Sequence, residues 1–592
     1  MESSVVAGVW SKVARGAVSR AVIFSALALL VAALLSLALA GSAMAAPPYQ
    51  VQHVTTNSTF DGDPAVYGGR VAWIGADGLG SALFVFDGLT GATREVSRAV
   101  SAYSPKPVFY GNLIVWLSYE DGGAVVRGFN VATGEQRLVA TLKNSGTDIY
   151  TDGRYIAWSD YAAPGEPSDI VLYDWTNGAI EKISNDRLDE YDAMVRDGFV
   201  TWERESATDP ENMVDVLLYD TRTALTTTLT SQAQRYRLAL LDAGRVVWLE
   251  GPYDAAVIML YQIGASAAEP VLSTPSNKQL WDFTGDKIVW TDGWMDTGET
   301  YVFDTSTAVS TRLSQNSVAD ALAQTDGRLV TWLEAGTPNL AHIYDCVSQT
   351  SYVLNESGQT AGAPSVDLGR AVWFEGMGAA AEVMTVTWPL FNDVPSAHPY
   401  FSAIQSLAEK RLVDGYPAAN GGMDFKPDNP VFRAQYAKMI DGALDLVPSE
   451  TMTPPIDFTD LGQDNPKSLY PHEYVWTAYK NQIVFGYSDG TFRPYAEIQR
   501  GHVLTMTVRA LQSLHPGVLV SVPASFVQTW GLGLLVEHKA NARIAEYNNL
   551  LTNLPPDNEV TGAEEPMPRQ EVAQVMYNMM RLIPSAAPYP PD

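Results

Sequence analysis

Short apolar runs built around a tryptophan recur along the first two-thirds of the chain. They read VAWI at 71–74, IVWL at 114–117, IAWS at 156–159 and VTWE at 200–203. VVWL at 246–249, IVWT at 288–291, VTWL at 330–333 and AVWF at 371–374 continue the series. The tryptophans, Trp73, Trp116, Trp158, Trp202, Trp248, Trp290, Trp332 and Trp373, lie 41 to 46 residues apart. That period matches one four-stranded propeller blade. Most units begin with a turn such as GGR, DGR or AGR. A second apolar strand follows, usually ending in an aromatic-Asp pair at Asp87, Asp174, Asp220, Asp304 or Asp345. A turn and a polar-apolar strand complete the unit. The pattern predicts an antiparallel meander of about four short strands.

The inner strands are continuously apolar, as in LIVWL at 113–117, which implies cover on both faces. Blades stacked face to face around an axis supply that cover. The tryptophans are therefore expected between blades rather than as a row of exposed, ligand-binding rings. Each aspartate of the aromatic-Asp pairs is expected to accept backbone N–H bonds from the turn that follows it. Eight tryptophan units predict eight blades. The last unit ends at MTVTW, 384–388, without an outer strand, whereas VQHVTTN at 51–57 reads as one. The N-terminal strand is expected to complete the final blade and so remove the open edges of the ring.

Beyond Trp388 the period changes. Tyr400, Ile404, Leu407 and Ala408 stand at helical spacing. DFKPDNPVFRAQYAKMI, 424–440, predicts a proline-bearing loop and a second helix. About 67 residues later the pattern returns: FTDL at 458–461 repeats FNDV at 391–394, and GTFRPYAEIQRGHVLTM at 490–506 repeats the loop and second helix. Arg433, Arg500 and Arg569 are 67 and 69 residues apart, each opening a predicted helix.

The first region, 48–388, resembles TolB-like and WD40-like propellers. The second resembles the S-layer homology family in triplicate, on F-x-D-V, G-Y-x-D-G-T-F-x-P and the Arg-bearing helix start. The fold class expected is thus multidomain: an all-β propeller of eight four-stranded blades followed by an α-helical S-layer homology bundle. The copies are expected at 391–447, 456–515 and 523–583, the third degenerate because it lacks both F-x-D and the G-Y-x-D-G-T-F turn. The family resemblance implies a three-lobed bundle whose grooves take secondary cell-wall polysaccharide, often with pyruvylated, negatively charged sugars.

A cation in the first turn of a helix opposes the helix dipole. Beside free N–H groups it would make an anion site, and a guanidinium can hold a carboxylate through two parallel bonds. Arg433, Arg500 and Arg569 are accordingly the ligand candidates. The alternative is that each arginine pairs with a carboxylate and locks adjacent copies. The second copy is expected to hold the intact site, formed by Gly486, Tyr487, Asp489, Gly490 and Arg500, with Gly415 and Tyr416 the counterparts in the first. The Thr of the family's Thr-Arg-Ala-Glu capping box is replaced by Phe432, Gln499 and Pro568. Gln435 and Glu571 keep the N3 partner, and His502 does not.

Composition adds location and excludes partners. Lys12, Arg15 and Arg20 precede an apolar run at 21–40 and a small-residue site ending at Ala45. Residues 1–45 read as a signal peptide, or as an uncleaved N-terminal anchor, since 20 apolar residues can span a bilayer. Removing this segment takes the formal charge from −29 to −31. Such acidity argues against nucleic acid or anionic lipid as partner. No later segment is apolar enough to span a membrane. Cys346 is the single cysteine, so stability must come from packing. No catalytic motif stands out, and His53 and His342 are the only propeller histidines.

The expectation is therefore a secreted, wall-bound protein without catalytic activity, metal or cofactor, whose propeller takes a protein or glycan of unknown identity. A wall-anchored enzyme of polysaccharide or peptide and an S-layer lattice subunit are the alternatives.

Overall fold

The computed structural model describes residues 47–584 apart from 63, 78, 99, 101–103, 121–122, 144–147, 162, 164, 208–212, 235–238, 253, 294–296, 357, 420, 449–455, 466–467 and 556–564. The expected signal segment lies outside the described residues.

Each tryptophan unit folds into the meander its pattern predicts. The second blade is typical: Val108–Tyr110, Leu113–Glu120, Gly123–Asn130 and Gln136–Thr141 pair in that order, all antiparallel. Eight such blades form the propeller, and blades four and five are joined where Ala233 pairs with Glu250. The eight repeat tryptophans are all at most 2% exposed, so they fill the space between blades. The ring closes as expected: Gln52–His53 forms the outer strand of the last blade, with Gln52 opposite Thr385 and His53 opposite Met384.

The aromatic-Asp residues cap their turns. Asp87 accepts from Leu89 N at 2.8 Å, Asp174 from Thr176 N at 2.9 Å and Asp220 from Arg222 N at 3.0 Å. Asp304 and Asp345 do the same for Ser306 and Val347, at 2.9 and 3.0 Å. A second set of aspartates, which periodicity alone did not single out, stitches blade to blade. Asp242 accepts from Gly285 N at 2.9 Å, Asp326 from Gly369 N at 2.8 Å and Asp367 from Gly68 N at 2.8 Å. Each partner sits about one repeat away, or across the ring closure, so the bond links neighbouring blades.

Among the described residues six α-helices follow: α1 (Phe401–Glu409), α2 (Arg433–Ala443), α3 (His472–Lys480), α4 (Arg500–Leu514), α5 (Val536–Tyr547) and α6 (Arg569–Leu582). They form three pairs. The strand-like residues before α2, α4 and α6 bridge one another in a closed triangle: Phe432 with Glu497, Gln499 with Pro566, Pro568 with Pro430. Val431, Ile498 and Met567, at equivalent positions in the three copies, are buried there. The segment before α6, where the degenerate third copy was expected, thus completes the triangle. No helix among the described residues is long and apolar enough to cross a membrane.

Candidate functional site

The triangle decides what surrounds each candidate arginine. Helix-opening N–H groups have no acceptor within their own helix. Here the neighbouring copy supplies one. Arg433 N and Ala434 N each donate at 3.0 Å to the second copy's proline loop, at Ala496 O and Pro494 O. Arg500 N donates to Glu565 O at 3.2 Å, while Arg569 N and Gln570 N donate to Asn429 O and Pro427 O at 2.8 and 2.9 Å. The first two amides at the Arg433 and Arg569 starts, and the first at the Arg500 start, are thus taken by a neighbouring copy rather than left for an anion. Those amides hold the copies together.

The side chains follow the same cyclic order. Arg433 of the first copy reaches the turn of the second. Its Nε donates to Phe492 O at 3.0 Å, and its guanidinium stands 5.0 Å from the Tyr487 ring and 4.9 Å from that of Phe492. Arg433 is 4% exposed, and its Nη1 is buried without a hydrogen-bond partner. A second cation, Arg493, lies 4.0 Å from the same tyrosine ring and pairs with Asp489 at 3.0 Å. Hydrogen bonds from Thr491 and Arg493 hold the Asp489 carboxyl down to about 2. His502 stands edge-on to Tyr487 at 6.1 Å. Burial, then the Arg433 charge, pushes the His502 imidazole down to about 3, so it is neutral at physiological pH.

Arg569 of the third copy reaches the first in the same way. It donates to Tyr416 Oη at 2.9 Å and to Asp414 O, and lies over the rings of Tyr416 and Phe425 at 5.0 and 4.4 Å. Lys426, 4.5 Å from the Tyr416 ring, takes the place of Arg493. Arg500 differs: its Nη1 lies 2.6 Å from Glu571 Oε2 of the third copy, with side chains 14% and 8% exposed.

The five residues grouped from the sequence as the second copy's site are thus divided. Gly486, Tyr487, Asp489 and Gly490 stand with Arg433, and Arg500 stands at another junction, ion-paired with a neighbouring copy. The glycines are structural in two ways. A Cβ on Gly486 would come 2.3 Å from the Phe458 ring, and one on Gly415 would come 2.7 Å from Phe391. Gly490, at φ +81°, closes the turn in open space, a conformation glycine adopts without strain.

The aspartates of the two F-x-D motifs hold these turns in place. Asp393 accepts from Phe425 N at 2.7 Å and Lys426 N at 2.8 Å. Asp460 does the same for Phe492 N and Arg493 N, at 2.8 and 2.7 Å. The signal was the constant offset of 32 residues between the F-x-D aspartate and the turn phenylalanine. Replacing Asp460 by alanine strands two N–H groups and is expected to cost about 1–2 kcal/mol. Faster hydrogen exchange at the Phe492 and Arg493 amides, against unchanged exchange at Phe425, is the measurement.

Residues 390–437 and 467–504 match the S-layer homology domain family. The C-terminal third therefore carries S-layer homology domains behind an eight-bladed propeller. Cell surface glycoprotein 1 of Acetivibrio thermocellus is 26% identical over 156 residues, covering 25% of this chain and 6% of that protein. The endoglucanase of Bacillus sp. (strain KSM-635) is 30% identical over 124 residues, 21% of this chain and 12% of the relative. The chain thus spans only a small part of these relatives.

Similar solved structures include a prolyl endopeptidase, at TM-score 0.41 and 10% identity over 54% of each chain. TolB from Acinetobacter baumannii has a TM-score of 0.30 and 14% identity, over 43% of this chain and 66% of that one. The expectation that the chain lacks catalytic activity is corrected. A matched relative is an endoglucanase, so the missing catalytic motif does not exclude an enzyme.

Proposed function

We propose that this is an exported cell-envelope protein held non-covalently on secondary cell-wall polysaccharide by its S-layer homology repeats, which present the propeller at the surface. The supporting observation is Arg433: a nearly buried guanidinium with an unused N–H, set over Tyr487 and joined by Arg493. An amphipathic sugar ring fits an aromatic face, and an acidic substituent fits the half-exposed Arg493 guanidinium over the same ring. Tyr416, Arg569 and Lys426 repeat the tyrosine and two cations at a second junction, where Arg569 already donates to Tyr416 and Asp414. The formal charge of −29 repels an anionic polymer at long range. Attraction must then come from cations gathered at these junctions.

The full chain is expected to sediment with purified sacculi and to be released once the polymer is stripped. Arg493→Ala is expected to weaken retention about tenfold or more, as loss of one charge-assisted bond would, and raised salt is expected to weaken it further. Equal sedimentation with stripped and intact sacculi would refute the anchoring reading.

A further inference from the structure

The first blade departs from the repeat in its charges. Arg70 stands opposite Asp87, and Arg94 opposite Val85. Alternation along the strands then puts both arginines on one face of the sheet. At the same two positions every later blade has at most one cation: Arg137 in the second, Arg245 in the fifth, Lys287 in the sixth and Arg370 in the eighth. The S-layer homology region brings a third cation to this face. Lys410, the residue after α1, lines with Arg70 and Arg94 a cavity of about 450 Å³ between the first two blades and the helices.

The acids nearby do not use up these charges. Asp87 caps its own turn through Leu89 N and reaches Arg70 only at 3.5 Å. Asp445 accepts from Asn112 at 3.4 Å. Glu409 and Arg411, also on the wall, are paired with Arg370 and Asp367. The Lys410 ammonium has no hydrogen bond or ion pair with any described residue. Burial, then the charge of Arg70, pushes it down to about 8.

We propose that this cavity binds one oxyanion group, a carboxylate or a phosphate, held by Lys410, Arg70 and Arg94, with the rest of the molecule against Leu412, Leu444 and Ile583. A guanidinium matches an oxyanion through paired N–H bonds, and a lysine adds a point charge. The volume lies in the range of small-molecule sites. An oxyanion would also offset the repulsion among three cations enclosed together, in a chain whose formal charge is otherwise −29. The cavity shares no lining residue with the tyrosine junctions, so the proposal stands apart from the anchoring reading.

The test is titration calorimetry of the full chain with inorganic phosphate, glycerol phosphate and glucuronate in chloride buffer. At least one is expected to bind. Lys410→Met and Arg94→Gln are each expected to weaken that binding about tenfold or more, as loss of one charge-assisted bond would. Equal affinity for the two phosphates would mark a free ion as the ligand, and tighter glycerol phosphate or glucuronate a group on a larger molecule. Without ligand, Lys410→Met is expected to melt no lower than the parent, because a like charge beside Arg70 is gone. A clearly lower melting point would assign Lys410 to folding and overturn the proposal. So would unweakened binding in either folded variant, or a parent that binds none of the three. None of these results bears on sedimentation with sacculi.

Discussion

Glu409→Ala is expected to destabilise the protein by about 3–5 kcal/mol, because it strands a buried arginine. Glu409 ends α1 and enters the seam between the last and first blades. Both its oxygens lie 3.1–3.2 Å from Arg370 Nη2, and the two side chains are only 3% and 8% exposed. The fit is tight: a Cβ on Gly69 would come 2.5 Å from Glu409 Oε2, and one on Gly88 3.0 Å from Arg370 Nη2. Next to it, Arg411 pairs with Asp367 at 2.7 Å, and Asp367 also holds Gly68 N of the first blade. The first S-layer homology helix thus clasps the place where the propeller ring closes. Glu409→Gln keeps the shape and hydrogen-bonding capacity and is expected to fall between the parent and the alanine variant. Chemical denaturation of the full chain measures the cost. A loss under 1 kcal/mol for Glu409→Ala would contradict the account.

Between pH 5 and pH 8 the Asp441→Asn variant is expected to lose less stability than the parent, with a gap of a few kcal/mol at pH 8. Asp441 lies in α2, is fully buried, and neither carboxyl oxygen has a hydrogen-bond partner. Burial pushes its carboxyl up to about 9, and its position near the C-terminal end of the helix disfavours an anion as well. The folded protein therefore keeps a proton that the unfolded chain releases near pH 4. Stability from this group is complete below about pH 4 and falls as pH rises toward 9, by up to about 1.4 kcal/mol per pH unit. Asparagine carries no such proton. Melting curves for parent and variant at matched pH give the comparison, and parallel curves would show that Asp441 ionises freely.

Much of the fold was legible because its signal is local. A blade needs a run of apolar residues, a turn and an aspartate to cap it, all within about forty residues. The tryptophan spacing therefore announced eight blades and the missing outer strand announced ring closure. The same holds for the helix starts at Arg433, Arg500 and Arg569, and for the paired F-x-D and turn motifs. The correction about catalysis has another origin. Catalytic groups on propellers or on appended domains need no compact motif, so the lack of one in a single sequence excluded nothing.

What the chain order could not convey is which copy each side chain addresses. Grouping Arg500 with Tyr487 follows sequence proximity, whereas the structure gives Tyr487 to Arg433, 59 residues before Phe492, and Tyr416 to Arg569, 153 residues away. The cause is the triangle of bridges. Helix-opening amides need acceptors, their own helices offer none, and the next copy's proline loop lies within reach. Arg433 and Arg569 are thereby carried past their own repeats to their neighbours' turns, and Arg500 to Glu571. The sequence by itself determined the blades, the helices and the identity of the cations. Closure of three repeats into a ring decided which cations meet an aromatic turn, which one meets Glu571, and how α1 locks the propeller seam.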